Sequence, residues 1–175
     1  SCNGNRNDPT AVEPGSGSSI MAYAGICPSN VQNNSDDHFH GISLQEIDAE
    51  ILSAGHQCEV ITALGNNPPN ITGTNGNSVV PGNTPFALTV TAVDPDGDPM
   101  TFNWEQMDED ISTQPPLANA VNGPNFRSYP SSTSPTRYFP NLTDLSAGGP
   151  FTWEVLSTVS RTMDFRVTVR DKAPG

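Results

Sequence analysis

The sequence predicts a protein of two units, a loop-rich α+β unit over residues 1–64 followed by an all-β sandwich over residues 65–175. Three observations support this division. All three cysteines and all three histidines fall within residues 1–58. The segment 65–70 combines Gly, Asn and Pro, a composition typical of a linker. Beyond it, short runs that alternate apolar and polar residues are separated by Pro and Gly, which predicts strands.

The charge balance limits the partners that the protein can have. The chain has 175 residues with 7 Lys and Arg against 19 Asp and Glu, a formal net charge of −12 at pH 7. Such an acidic surface repels nucleic-acid phosphates and anionic membrane surfaces, so we expect no nucleic-acid partner. No run approaches the ~18 consecutive apolar residues that a membrane span needs, so we expect no span either.

Residue usage also indicates where the protein works. Lys and Arg are scarce, Asn, Ser, Thr, Gly and Pro are abundant, and three cysteines are present, a profile more typical of an exported protein than of a cytosolic enzyme. We therefore expect a secreted or cell-surface protein. The chain opens on a polar segment with neither an initiator Met nor a signal-peptide pattern, which predicts that Ser1 is internal to a longer polypeptide.

The first unit contains one predicted helix, over residues 44–54. Ser43 and Glu46 have the spacing of a capping box, in which the hydroxyl and the carboxylate each bind a free backbone N–H group of the first turn. Isoleucine and leucine residues then recur at helical spacing, and Gly55 is placed to end the helix in a left-handed turn.

The second unit contains four runs that are predicted as strands: 86–93, 100–104, 151–155 and 165–169. A Pro-Asp-Gly sequence at 95–97 predicts a tight turn between the first two runs, so we expect these two strands to pair as a β-hairpin. The Pro-, Ser- and Asn-rich segment 110–142 is expected to pack as an ordered loop insertion. The size of the unit and its strand pattern are those of an immunoglobulin-like sandwich.

Three acidic residues of this turn, Asp94, Asp96 and Asp98, are candidate calcium ligands. Ca²⁺ takes six to eight oxygen ligands, and short acidic loops supply them. An EF-hand would need a Glu at its twelfth position, and Glu105 stands there, but within a predicted strand. The alternative is that these residues serve the turn alone, and we favour it over calcium.

The apolar stretch 19–27, Ser-Ile-Met-Ala-Tyr-Ala-Gly-Ile-Cys, resembles the Met-turn of metzincin zinc peptidases, specifically of their reprolysin-like branch. In that family a Met side chain forms the hydrophobic floor under three zinc-bound imidazoles. The stretch from Phe39 to Ile47 is similar to the Phe-x-x-x-Ser entry of the family's last catalytic-domain helix. The resemblance implies that residues 1–64 are the C-terminal part of a metzincin catalytic domain.

The resemblance also covers parts of the second unit. Three runs look like the β-sandwich modules that follow the catalytic domain in extracellular bacterial members: Phe86 to Ala92, Thr101 to Gln106, and Phe165 to Asp171. We therefore expect a bacterial, extracellular protein with an immunoglobulin-like accessory domain. The alternative for the apolar stretch is an ordinary buried loop of an unrelated fold.

Site residues follow from the same resemblance. Met21 would lie beneath the zinc without binding it. The residues after it would line the pocket for the substrate residue that follows the scissile bond: Ala22, Tyr23, Ala24 and Gly25. The expected substrate is a peptide or protein.

The zinc ligands themselves are absent from the sequence. A metzincin binds zinc through His-Glu-x-x-His-x-x-Gly-x-x-His, with the Glu as general base. No two histidines of this chain are four residues apart. The resemblance therefore implies that the zinc helix lies upstream of Ser1, that the upstream polypeptide is a partner, and that this chain alone hydrolyses nothing. The alternative function is an extracellular adhesion or binding module in which the β-sandwich is the working part, and a third is a spacer beside an active protease.

The cysteines are assigned by the family pattern. The resemblance implies a Cys2–Cys27 disulfide, with Cys58 paired to a cysteine upstream of this chain. The alternative, Cys27–Cys58 with Cys2 free, stays open.

Two histidines offer a weaker candidate. His38 and His40 alternate around Phe39, so an extended segment would place both on one side, where they could bind a metal. The alternative, two exposed polar residues that lead into the helix, is favoured, because two ligands make no closed site.

Overall fold

The computed structural model describes residues 4–53 and 65–172, which form two α-helices and five strands in two sheets. In chain order the elements are α1 (Gly41–Ile51), β1 (Asn70–Thr74), β2 (Phe86–Val93), β3 (Met100–Gln106), β4 (Thr136–Phe139), α2 (Leu142–Ala147) and β5 (Phe165–Asp171), with a 3₁₀ turn at Asp8–Thr10 ahead of them. The described chain is therefore mostly sheet with few helices, an α+β arrangement. No helix in these ranges is long and apolar enough to cross a membrane.

The strands form two antiparallel sheets. One has three strands in the order β1-β2-β4, and the other pairs β3 with β5. Phe86 of β2 lies opposite Phe139 of β4, and Trp104 of β3 lies opposite Val167 of β5. Alternation thus predicts three strands correctly: β2 has its predicted bounds, and β3 and β5 each extend two residues further.

The two sheets share one hydrophobic core, because each has an apolar face. Its buried members are Val90, Phe102, Trp104, Phe126, Phe139 and Leu156. The Phe86 ring stacks on the Phe139 ring with centroids 5.0 Å apart, and Phe126 meets Phe139 edge-on at 5.1 Å. Such aromatic pairs stabilise by ~1 kcal/mol each beyond the area that they bury.

The predicted hairpin is wrong, because β2 and β3 lie in different sheets. The turn between them exists, with Gly97 at φ 82°, and it carries the chain from one sheet to the other. Each of the two strands has one apolar face. When the strands lie in facing sheets, both apolar faces are buried against each other, whereas pairing within one sheet would not bring the two faces into contact. Sequence alternation does not distinguish these two arrangements.

Segment 110–142 packs into the core, and it supplies a strand that its composition does not predict. β4 lies within it and pairs with β2. Phe126 and Phe139 from this segment are almost fully buried. The segment also pairs with β3, because Phe102 and Ser132 exchange backbone hydrogen bonds of 2.8 and 3.0 Å. It is an integral part of the core as well as a connection.

The predicted strand 151–155 is also wrong. The only sheet-like contact there is an isolated bridge between Phe126 and Glu154. Glu154 is buried at 1% exposure, and its carboxylate accepts hydrogen bonds from Arg137 Nη2 and from the Asn141 backbone N, both at 2.6 Å. The segment is therefore held by a buried ion pair and by neighbouring loops, a contact between distant residues that periodicity does not reveal.

Helix α1 begins three residues earlier than the capping box predicts. His40 is the N-cap, and its Nδ1 accepts a hydrogen bond from Ile42 N at 3.2 Å. Ser43 is buried in the first turn and does not cap. The Gly41 N–H is bound by the Glu105 carboxylate at 2.7 Å, so a strand of the sheet unit decides where the helix starts. The helix ends at Ile51; Gly55, its predicted end, lies outside the described residues.

Candidate functional site

The loop of residues 13–27, here the Met21 loop, is built around the carboxylate of Glu13. Its Oε1 accepts the backbone N–H groups of Ser18 at 2.8 Å and Ser19 at 3.1 Å, and its Oε2 accepts the Ser19 hydroxyl at 2.5 Å. Both serines are buried. Gly17 has φ 68°, and a Cβ there would lie 2.6 Å from Ala22 Cβ, so the turn requires glycine. Buried hydrogen bonds to the Glu13 carboxylate and the tight turn at Gly17 therefore fix the backbone of the loop.

Several apolar side chains of the same loop are exposed to solvent. Ile20 N donates to His38 O, and Tyr23 N donates to Ser16 O, both at 2.9 Å. Met21 is nevertheless 65% exposed, and Ile20, Tyr23 and Ile26 are also exposed. An apolar cluster on a rigid backbone is typical of a surface that another segment or molecule covers.

A cavity of about 310 Å³ lies beside the loop, between it and the start of α1. Three of the five predicted site residues, Met21, Ala22 and Tyr23, line this cavity. Ala24 and Gly25 do not line it. Charged and ionisable side chains on its wall are Arg6, Glu13, His40 and Glu46.

Behind the cavity lies a buried polar group of four residues, here the Glu105 cluster: Glu105, Ser128, His38 and His40. Glu105 Oε1 accepts the Ser128 hydroxyl, and Oε2 accepts the Gly41 N–H. His38 Nε2 lies 2.8 Å from Ser128 Oγ, and His40 Nε2 lies 3.7 Å from Glu105 Oε1. Every polar contact of the carboxylate is thus with a donor or an imidazole from another part of the chain.

The donors in this cluster fix the role of the imidazole nitrogens that make contacts. The Ser128 proton is given to Glu105, so His38 Nε2 must donate to Ser128 Oγ, and His38 Nδ1 is buried with no hydrogen-bond partner. His40 Nδ1 accepts from Ile42, so its proton is on Nε2, facing Glu105. Burial lowers the pKa of His40, although the nearby Glu105 charge raises it, and the net direction is downward.

These contacts correct the interpretation of His38 and His40 as exposed residues. They do face one side, but that side is the sheet unit, and both are buried, at 7% and 2% exposure. The carboxylate beside them belongs to Glu105, which also binds the Gly41 N–H and lies 64 residues beyond Gly41 in the sequence. Glu105 and Ser128 were not predicted as site residues, and no local sequence signal marks them.

The contact of Ser128 with His38 is not a nucleophile and its base. Ser128 is 2% exposed, and its proton goes to Glu105. His38 Nε2 is itself a donor in this contact, so the imidazole cannot take the hydroxyl proton in this arrangement. The pair contributes to packing between the two parts of the chain.

The described parts of the two predicted units meet across this polar interface. Ser18 Oγ donates to the Ser128 backbone O at 2.9 Å, and Gly15 N donates to Gln114 Oε1 at 2.8 Å. Arg127 Nη2 lies 3.6 Å from Asp36 Oδ2 at its edge. The Met21 loop is therefore supported partly by residues of the sheet unit.

The Asp94, Asp96 and Asp98 carboxylates, here the acidic turn, converge to within 4.8 Å of one another. This is the one group of at least three His, Cys, Asp or Glu side chains with such spacing in the described parts of the chain. Asp94 Oδ1 accepts the Asp96 and Asp98 N–H groups at 2.9 and 3.0 Å, as turn chemistry predicts. Its Oδ2 is buried and has no hydrogen-bond partner.

The described residues do not supply a set of zinc ligands. His38 and His40 each use their Nε2 atoms in the Glu105 cluster, and His56 lies outside the described ranges. No step of a zinc reaction is therefore assigned to these residues.

Cys27 is buried and disulfide-bonded. Both candidate partners, Cys2 and Cys58, lie outside the described residues. The Cys2–Cys27 pairing and its alternative thus stay predictions.

No protein-family model matches this chain, and neither does any curated protein or solved structure with which it was compared.

Proposed function

We propose that this chain is the C-terminal portion of a secreted zinc metalloendopeptidase of the reprolysin-like metzincin type. Residues 1–64 would complete the catalytic domain, and residues 65–175 would form an immunoglobulin-like accessory domain. The observation that carries the proposal is Met21, which is 65% exposed on a loop whose backbone is held by buried hydrogen bonds. A rigid loop that presents a thioether outward is suited to form the floor of a site that other residues complete.

The remaining loop residues support the same role. Ala22 and Tyr23 lie beside Met21 on the wall of the 310 Å³ cavity, where they would contact the substrate residue that follows the scissile bond. Ile47 and Ile51 of helix α1 are also exposed, so this unit has a second apolar surface that another segment could contact. The proposed cover for both surfaces is the upstream part of the same polypeptide.

In the intact protein, bound zinc would supply a water of lowered pKa as the nucleophile. The zinc ligands and the general base would come from the upstream part. The role of this chain's own residues is to position the floor and one wall of the site, so the chain alone is expected to hydrolyse nothing.

The test uses the polypeptide that the complete reading frame encodes. We expect one zinc per molecule by mass spectrometry and hydrolysis of a peptide substrate. Met21→Ser should lower kcat/KM about tenfold or more, because a polar group replaces the floor beneath the metal. Ile26→Ser is the matched control, since Ile26 is an exposed apolar residue of the same loop that does not line the cavity. An upstream sequence without three His ligands, or a protein without stoichiometric zinc, would overturn the proposal.

A second candidate function is an extracellular binding module whose working part is the sheet unit. The observation that favours it is a second cavity, of about 300 Å³, lined entirely by residues of β3, β4 and the segment around them. This candidate predicts a ligand that binds whether or not zinc is present.

For the acidic turn we propose calcium. The buried, unpartnered Asp94 Oδ2 supports this, because an oxygen without a hydrogen-bond donor is available to a hard cation. Asp96 and Asp98 would supply further oxygens, and water would complete the coordination.

A further inference from the structure

The second cavity, here the β3 cavity, lies at the edge of β3 against segment 129–142. Its wall combines aromatic rings with amide, hydroxyl and guanidinium groups. The lining residues used below are Phe102, Asn103, Trp104, Tyr129, Arg137 and Tyr138.

Asn103 is the most informative of these residues. It is 8% exposed and lines the cavity, and its side-chain amide makes no hydrogen bond within the described residues, although the amide atoms themselves still reach solvent. Thr101 and Glu105 lie on the same face of β3, and both of their side chains are hydrogen-bonded, to Arg170 O and to Ser128 and Gly41. An amide that makes no hydrogen bond within the chain and lines a cavity can both donate to and accept from a polar ligand there.

Two further donors on the wall are unused. The Tyr129 hydroxyl oxygen accepts from Asn141 Nδ2 at 2.7 Å, but no acceptor for its own proton is present in the described chain. Burial raises the pKa of Tyr129 to about 12, so the phenol keeps that proton at neutral pH. Arg137 Nε is buried without a partner, while its other nitrogens bind Trp104 O, Arg127 O and Glu154.

The charges around the cavity disfavour an ionic ligand. Arg137 is the one charged residue on the wall, and Glu154 neutralises it at 2.6 Å. No carboxylate lines the cavity, which disfavours a cation, and the net charge of −12 disfavours an anion. The free groups are two or more donors and one amide acceptor, so the ligand must both accept and donate hydrogen bonds.

We propose that the β3 cavity binds a neutral hexose ring, either free or at the end of an oligosaccharide. Sugar hydroxyls both donate and accept, and the C–H face of a ring packs against aromatic side chains such as Tyr138, which is 42% exposed. A cavity of about 300 Å³ lies at the small end of ligand sites and suits a single ring. The proposal rests on the second candidate function, and it gives that binding module a ligand class.

The test is a titration of the complete ¹⁵N-labelled chain with D-glucose, D-galactose and N-acetyl-D-glucosamine, each to about 50 mM, because single-ring affinities are weak. The chain has two tryptophans, so two indole N–H signals report separately. Trp104 lines the cavity, whereas Trp153 does not. We expect a saturable shift of the Trp104 signal with at least one sugar and an unchanged Trp153 signal.

Three variants connect the shift to the cavity. Asn103→Ala should weaken binding about tenfold, and Tyr129→Phe about threefold, because each removes a hydrogen-bonding group and leaves the backbone in place. If Asn103→Ala does not fold, Tyr129→Phe decides alone, since it keeps the ring. Asn122→Ala is the matched control, an exposed asparagine away from the cavity, and its affinity should equal that of the wild type.

Three results would overturn the proposal. One is that no sugar shifts the Trp104 signal. Another is that Asn103→Ala and Tyr129→Phe both fold and bind a sugar as the wild type does. The third is that the blocked, uncharged tripeptide N-acetyl-Gly-Gly-Gly-amide shifts the signal while the sugars do not, which would keep the binding module but assign it a peptide. None of these results depends on zinc, so they leave the peptidase proposal to its own test.

Discussion

The Gly41 backbone N–H donates a 2.7 Å hydrogen bond to the carboxylate of Glu105, which joins the first residue of α1 to a strand 64 residues further along the chain. The same carboxylate accepts the Ser128 hydroxyl and faces His40 Nε2. Since His38 O also accepts the Ile20 N–H, the support of the Met21 loop continues into the sheet unit.

Glu105→Gln should destabilise the fold by about 2–4 kcal/mol, because the amide presents N–H groups where two donors now meet a buried carboxylate. The free energy of unfolding is measured by urea denaturation. Glu109→Gln is the control, since Glu109 is exposed, and its change should stay within about 0.5 kcal/mol. Equal stability of the two variants would show that the Glu105 contacts contribute nothing net.

Acid should weaken the fold through His40. Burial lowers the pKa of His40 below its ordinary value of 6.5, so the unfolded chain binds a proton more readily than the folded one. The stability is therefore fully present above pH 6.5 and is lost as the pH falls towards the lowered pKa. Urea midpoints between pH 7.5 and 5 measure this effect.

The control for this pH dependence is His40→Asn. An asparagine side chain can still accept from the Ile42 N–H as an N-cap, but it does not titrate. The variant should therefore show a flatter pH dependence than the wild type. Parallel curves for the two proteins would assign the acid sensitivity to other groups.

Glu154→Gln should destabilise the sheet unit by about 3–5 kcal/mol, because it leaves the guanidinium of Arg137 buried without its counter-charge. Glu154 also accepts the Asn141 N–H at 2.6 Å, so a second contact weakens with it. The measurement is again urea denaturation. Asp8→Asn is the control, because it breaks an ion pair with Arg6 in which the Asp8 carboxylate is largely exposed. It should destabilise the fold by less than about 1 kcal/mol. A similar cost for both variants would contradict the assigned burial effect.

Calcium should raise the melting temperature of the chain, and a chelator should reverse the rise. Calcium at 100 times its Kd would add about 2.7 kcal/mol of stability if it binds only the folded state. Asp94→Asn should abolish the shift, because it retains an Oδ1 for the turn but loses the unpartnered carboxylate oxygen. Asp110→Asn, an exposed acidic residue elsewhere, should leave the shift intact. A melt that calcium and a chelator leave unchanged would remove calcium from the acidic turn.

The strands with regular alternation were predictable from the sequence. Residues 86–93 form β2 as predicted, because alternation along one strand depends only on which residues are apolar. β4 is four residues long within a Pro- and Ser-rich segment, so it has too few positions to show a period. The pairing of strands was not predictable, because the same alternation suits a hairpin and two facing sheets.

The candidate sites show the same division. The Met21 loop and the acidic turn could be chosen as candidates from the sequence because each lies within a few consecutive residues, and their roles stay proposals. Glu105 was not, because its alternation with Phe102 and Trp104 places it on the polar face of β3, where solvent is the ordinary neighbour. In the folded chain, His40 and Ser128 cover that face instead.

The sequence by itself determined the acidic character, the presence of a helix close to the predicted residues 44–54, the alternating strands and the apolar segment that contains Met21. These follow from composition and from neighbours within one or two turns of chain. The tertiary structure alone decided that β2 and β3 belong to different sheets, that His38 and His40 are buried, and that Asn103 lines a cavity without a partner. The physical reason is that burial and hydrogen bonding depend on which distant segments of the chain contact each other. Packing of the two sheets around their shared core decides those contacts.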